Sequence, residues 1–227
     1  MAKPGSVPSL IEQLFDAEHR VRQLHAELGR HAPAKLLDHV AMAIVAAAEL
    51  ADDVAEARLV CLARLLGEVA GERSVDLLID VLASEPPGAR VEAGEQLLGV
   101  ALDSFEDLAA GVQRALDRLP PDSPALLELP YLLAETRHDR CGEPLAALLG
   151  HPAGDVAAAA IEGLVLVGDP AAIERLAELE EDARRCSVGA DEGAPVDATV
   201  GEVARQAVEL LTTLARTAPS PDGEREP

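Results

Sequence analysis

The chain has 227 residues, 48% of them apolar and 26% charged, a balance that suits a folded protein with a sizeable core and excludes a disordered one. Its formal net charge of −22, from 41 acidic against 19 basic side chains, repels phosphates, so nucleic acid and anionic membrane are poor partners and a basic protein segment is a better one. One Tyr, two Phe and no Trp leave the core to Ala and Leu, which favours close helix packing over sheet.

Residues 1–8 read as a polar tail without the apolar core of a signal peptide. From Ser9 to Gly29, Leu10, Leu14, Ala17, Val21, Leu24 and Leu28 recur at spacings of four and three, and from Ala34 to Ala51, Leu37, Val40, Ile44, Ala47 and Ala51 do the same. Over residues 9–53 this predicts an antiparallel helical hairpin that caps the rest of the chain, with a coiled-coil-like dimer seam as the alternative. Helices are expected from Val54 to Ala70, Ser74 to Ala83, Ala89 to Leu102, Phe105 to Leu119, Ser123 to about Arg137 with a break or kink at Pro130, and Glu143 to Leu149.

The stretch His151 to Asp182 is the most explicit. Its first helix carries Val156, Ala160, Leu164 and Val167 on one stripe and Ala157, Ile161 and Val165 on the next, so it needs neighbours on several sides. Gly168 suits a C-terminal cap, Asp169 an N-cap and Pro170 the first helical position. The second helix presents Ile173, Leu176 and Leu179 inward and Glu174, Glu178, Glu181 and Asp182 to water, with Arg184 and Arg185 complementing its dipole. A break from Ser187 to Pro195 precedes a helix from Asp197 to Thr217, with Val200, Val203, Ala207, Leu210 and Leu214 on one face. Residues 218–227 read as a disordered tail.

Asp155-Val156, Ala159-Ala160, Leu164 and Val167-Gly168-Asp169-Pro170 followed by Ala172 resemble the HEAT repeats, in particular the bacterial type shared with phycobilin lyase relatives. Where that family usually has an arginine after the valine, this chain has Ala157. Turn markers at Gly67, Gly99, Ala134 and Gly168 recur at intervals of 32, 35 and 34 residues, inside the ~20 to 50 residue window of solenoids. The resemblance implies an all-α, right-handed α-α solenoid, a HEAT/armadillo-like superhelix. About four repeats and a C-terminal capping helix would fill residues 54–217, after the N-terminal hairpin.

No residue set makes an active site. Glu135 and His138 share a helix face with Cys141 three residues on, but nothing completes a metal site. His19, His25, His31 and His39 read as scattered surface residues. Cys61, Cys141 and Cys186 form no CxxC, and only Cys186 has basic neighbours. The longest apolar run, Val40 to Ala48, is far short of the ~20 residues that span a bilayer. The expectation is a cytoplasmic, non-enzymatic scaffold without cofactor or metal. A phycobilin-lyase-like chromophore or small-molecule chaperone is the alternative that the resemblance supplies. The second helices of HEAT-like repeats line the concave face. There Glu72, Asp76, Asp80, Glu106, Asp107, Glu143, Glu174 and Glu178 would form an acidic ridge for a Lys/Arg-rich partner segment.

Overall fold

A computed structural model describes residues 5–189 and 196–217. Among them are eleven helices: α1 (Val7–Leu28), α2 (Pro33–Ala47), α3 (Asp52–Gly67), α4 (Glu72–Leu82), α5 (Pro87–Asp103), α6 (Phe105–Arg118), α7 (Pro124–Glu135), α8 (Gly142–Leu149), α9 (Gly154–Val167), α10 (Ala172–Ala177) and α11 (Val200–Thr217). The described residues are thus mostly helical. Of the two expected tails, 218–227 lies outside the described residues, as do residues 1–4, whereas Val7 and Pro8 already belong to α1.

Helices α3 to α8 form three successive pairs, α3 with α4, α5 with α6 and α7 with α8, arranged in two layers, whereas α10 packs on α11. In one layer α3 packs on α5, α5 on α7, α7 on α9 and α9 on α11; in the other α4 packs on α6 and α6 on α8. The core runs between the layers through Leu66, Leu78, Ile79, Leu82, Leu97, Leu108, Leu126, Leu129, Leu133, Leu145, Leu148 and Ile161, all fully buried. Helix α9 is enclosed as its all-round apolar sequence requires, with α7, α8 and α11 all packed against it. Helix α7 passes through Pro130 without ending, and Gly163 of α9 lies against the Pro130 carbonyl, where a Cβ would come within 3.0 Å of the oxygen. Small residues at this crossing let the two helices approach.

Turn chemistry explains most boundaries. Pro33, Pro87 and Pro124 begin their helices, where a missing N–H costs nothing. Gly168 ends α9 with φ 72° and donates its N–H to the Leu164 carbonyl. Asp169 and Pro170 are not the N-cap and first residue of α10 expected of them: the N-cap is Ala171, whose N–H the Asp169 carboxylate accepts at 2.9 Å, and α10 starts at Ala172. Other helix ends are satisfied by groups from a neighbouring helix. Glu56 of α3 accepts the Gly88 N–H at 2.8 Å at the start of α5, and the buried Ser74 hydroxyl donates to the Leu66 carbonyl at 2.7 Å, closing the α3–α4 turn.

The structure also corrects the sequence reading around the ribbon and α11. The break after Asp182 holds a two-stranded antiparallel ribbon, β1 (Arg185–Val188) with β2 (Val196–Thr199), which packs on α9. Helix α11 then starts from a capping box in which the Thr199 hydroxyl accepts the Glu202 N–H and the Glu202 carboxylate accepts the Thr199 N–H at 2.8 Å. Its buried face is Val200, Val203, Ala204, Ala207 and Leu211, while Leu210 and Leu214 are exposed. A strict seven-residue seam drifts ~20° per heptad around a straight helix, so residues four apart take over toward the C-terminus. Arg184 does not serve the dipole of α10, which ends at Ala177. It pairs with Asp182 and donates to the Leu149 carbonyl at 2.9 Å and to that of His151, tying the end of α8 to β1.

The hairpin expected over 9–53 joins the stack through α2, which buries Leu36, Leu37, Val40 and Ala47, and through one end of α1. There His25 is not a surface residue: it is buried, with Nδ1 2.9 Å from the Glu68 carboxylate. The apolar seam of α1 is otherwise open to solvent. Among the described residues no helix is long and apolar enough to cross a membrane.

Candidate interaction surface

The acidic residues of the expected ridge occupy α4 (Glu72, Asp76, Asp80), α6 (Glu106, Asp107), α8 (Glu143) and the first turn and C-cap of α10 (Glu174 and Glu178). Those of α4, α6 and α8 therefore belong to the second helices of successive hairpins. Most do not face solvent alone. Arg114 of α6 donates through Nε to Asp76 at 2.9 Å and places Nη1 3.6 Å from Glu72, while Nη2 donates to the Glu72 carbonyl. One turn on, Arg118 binds the Asp80 carboxylate and donates to the Asp76 carbonyl at 2.8 Å. Arg140, just before α8, binds Glu106 and reaches Glu143 at 3.3 Å.

Five of the eight acids, Glu72, Asp76, Asp80, Glu106 and Glu143, therefore share three arginines, which offset only part of their charge, and four of them pair with an arginine of the following hairpin. Asp107, Glu174 and Glu178 make no ion pair among the described residues. In place of a uniform acidic ridge there is a ladder of charge pairs that leaves three carboxylates uncommitted. Beside it, between α8 and α10, a recess of about 170 Å³ is lined by Asp139, Arg140, Glu143, Asp169 and Arg175 with Leu164 at its floor.

The other layer has its own ladder. Arg64 of α3 donates through Nε to Glu92 of α5 at 2.9 Å, and Gln96 donates to the second Glu92 oxygen at 2.9 Å. The Glu92 carboxylate is nearly buried, and its hydrogen bond and charge push the Arg64 guanidinium up. Arg90 of α5 donates to Glu128 of α7 at 2.8 Å, and the Tyr131 hydroxyl of α7 donates to Glu162 of α9. Burial first, and then this hydrogen bond, push the Tyr131 phenol far above its ordinary range. Partly exposed pairs of this kind contribute up to ~1 kcal/mol each. Their larger effect is on register, since each fixes one hairpin against the next.

The constellations weighed for chemistry are absorbed into structure. His138 stacks on Phe105 of α6, ring centroids 4.0 Å apart and planes at 7°, and its Nδ1 accepts the Arg140 N–H, which positions Arg140 for the ladder. Cys141 and Cys186 are buried, burial pushes both thiols up, and Cys186 Sγ lies 3.7 Å from the Ala198 carbonyl as its donor. Neither has the depressed pKa of a reactive cysteine.

The sequence reading missed a second surface. An open groove of about 420 Å³ runs along α7, α9 and α11, walled by Tyr131, Ile161, Val165, Leu166, Val203 and Leu210. Leu166 and Leu210 stand well out of the core there, at 66% and 48% exposure. Its signal lay in Leu166, which falls outside both apolar stripes assigned to α9, on the opposite side of the helix. Compared with known proteins, the chain matches no family and no curated sequence.

Proposed function

We propose that the protein is a HEAT-like, right-handed α-α solenoid that acts as a scaffold without chemistry of its own, binding a Lys/Arg-rich segment of another protein along its second helices. The observation that carries this reading is the stack itself, with α4, α6 and α8 aligned in one layer and keyed together by Arg114, Arg118 and Arg140. A chain that repeats one supersecondary unit and locks each copy to the next builds an extended surface rather than a pocket. The basic character of the partner follows from the net charge of −22 and from Asp107, Glu174 and Glu178, which no neighbouring arginine neutralises.

The test is the triple variant Asp107→Lys, Glu174→Lys, Glu178→Lys, compared with wild type for recovery of the native partner at low and moderate salt, after circular dichroism has established that the variant folds. The expected result is loss of recovery and, for wild type, a fall with added salt. Equal recovery by both proteins, independent of salt, would end the reading. Reversing Asp76 or Asp80 is a poorer test, because it would also remove a rung of the ladder that joins α4 to α6. The groove along α7, α9 and α11 favours a second reading, a phycobilin-lyase-like chaperone for an apolar chromophore; its size lies in the ~300–1,000 Å³ range of small-molecule sites. Binding of an apolar dye abolished by Leu166→Glu would favour that reading over the first.

A further inference from the structure

Helix α1 has 22 residues, about 33 Å of length, and almost none of it is packed. From Val7 onward, Val7, Leu10, Leu14, Ala17, Val21, Leu24 and Leu28 occupy every core position of an unbroken heptad seam. Val7 is 69% exposed, Leu10 53% and Leu14 65%, with Ile11 beside them at 44%. Only the far end is tied down, where His25 is buried against Glu68. Helices in proteins hold their shape mainly by packing an amphipathic face, so a seam of this length left in water lacks the contact that would stabilise it.

We propose that a second copy of this chain covers the seam, the two α1 helices pairing antiparallel as a short coiled coil. Two features single out this occupant. The first is area: the seam exposes on the order of 600 Å² of apolar surface per helix, so two copies bury roughly 1,200 Å², the lower edge of stable interfaces. The second is charge. The first half of α1, residues 7–17, carries Glu12 and Asp16 with no Lys or Arg, whereas the second, residues 18–28, offsets Glu18 and Glu27 with Arg20 and Arg22. Antiparallel pairing sets unlike halves together, and parallel pairing sets the acidic halves against each other.

The flanking residues select a register. When Leu14 faces Ala17 of the second copy, Leu10 faces its Val21 and Val7 its Leu24, Glu18 lies opposite Ile11 and Arg20 opposite Gln13. A slip of one heptad, with Leu14 facing Leu24, would put Glu18 against Glu18 and Arg20 against Arg20, and would push the pair toward the end of α1 that already docks through His25. The first register has no like-charge contact, and it leaves the two helical stacks at opposite ends of the pair.

Analytical ultracentrifugation of the full chain at ~50 µM should give twice the 23.7 kDa chain mass, as expected for a micromolar interface of this area. Leu10→Asp with Leu14→Asp should weaken the dimer ~100-fold or more, because pairing would bury unpaired charge, while the melting of the helical stack is retained. In a Cys61→Ser background, mixing a Leu14→Cys chain with an Ala17→Cys chain should give a mixed disulfide dimer in preference to either homodimer. A monomeric wild type overturns the proposal, as does a dimer that survives the double substitution. Preferential Leu14→Cys homodimers would overturn the register. None of these readouts needs the basic partner, so they stand or fall apart from the scaffold reading.

Discussion

Gly154→Ala adds one methyl group at the first residue of α9, and it should destabilise the protein although alanine is the better helix former. A Cβ built at Gly154 would lie 2.1 Å from the Arg185 carbonyl oxygen and 2.8 Å from its carbon, so the backbone of β1 must move. That strand is not free to recede. Asp155 accepts the Ser187 N–H at 2.7 Å, Val200 donates to the Arg184 carbonyl at 2.9 Å, and the Arg184 side chain holds the Leu149 carbonyl at 2.9 Å. Overpacking of this kind costs about 1–3 kcal/mol and a lost hydrogen bond about 1 kcal/mol more, against a propensity gain of at most ~1 kcal/mol. The net loss is ~2 kcal/mol, a fall in Tm of roughly 6 °C for a chain of this length. Gly99→Ala is the matched control: Gly99 is exposed within α5, its Cβ would meet nothing within 4 Å, and the substitution should raise stability by ~0.5–1 kcal/mol. Thermal unfolding followed by circular dichroism reads both. If Gly154→Ala melts at or above wild type, β1 does not sit on the start of α9.

Two more outcomes rest on the electrostatics. Arg184 holds the Asp182 carboxyl below its ordinary range, chiefly through their hydrogen bond, so the pair's contribution to stability is complete above the unfolded carboxylate pKa of ~4 and is lost as pH falls through the lower, folded value; Arg184→Ala should lower stability at neutral pH and shrink the gap to wild type in acid, measured by urea unfolding across pH. Because Tyr131 is the single tyrosine in a chain without tryptophan, phenolate absorbance reports it alone: native protein should resist ionisation at pH values where free tyrosine ionises, and Glu162→Gln should bring the transition down.

Boundaries set by local chemistry were legible in the sequence. The Gly168 turn and the prolines that open α2 and α7 act within one turn of the chain, where residue type alone decides the backbone. The ribbon was not legible, because Arg-Cys-Ser-Val and Val-Asp-Ala-Thr are too short for a period of two to stand out, and their pairing is fixed by docking on α9. The amphipathy of α1 was plain, yet no local rule says whether such a face meets its own hairpin or another chain. For the candidate surface, the acids were placed on the correct helices, but their arginine partners sit one hairpin away. A signal was available: Asp76 and Arg114, Asp80 and Arg118, and Arg90 and Glu128 are each separated by 38 residues. A recurring offset between opposite charges, longer than the repeat marker by a few residues, is what a ladder between stacked hairpins leaves in a sequence.

That ladder changes how the acidic charge can act. Arg64, Arg90, Arg114, Arg118 and Arg140 each engage a carboxylate of an adjacent hairpin, so they contribute pairs of nearly zero net charge to the region between helices. Seen from beyond a Debye length of ~8 Å the one-to-one pairs cancel, and the excess of −22 belongs to carboxylates that share an arginine or lie outside the ladder. On the proposed scaffold reading, a basic segment approaching from solution would be drawn by the whole excess, but at contact it could displace a ladder arginine only by leaving that arginine without its carboxylate. Association rate should therefore track total charge, whereas residence should track the few free acids, Asp107, Glu174 and Glu178 on the second-helix face. Neutralising a distant surface acid such as Glu12 should slow binding slightly without changing dissociation, and removing Glu178 should do the reverse.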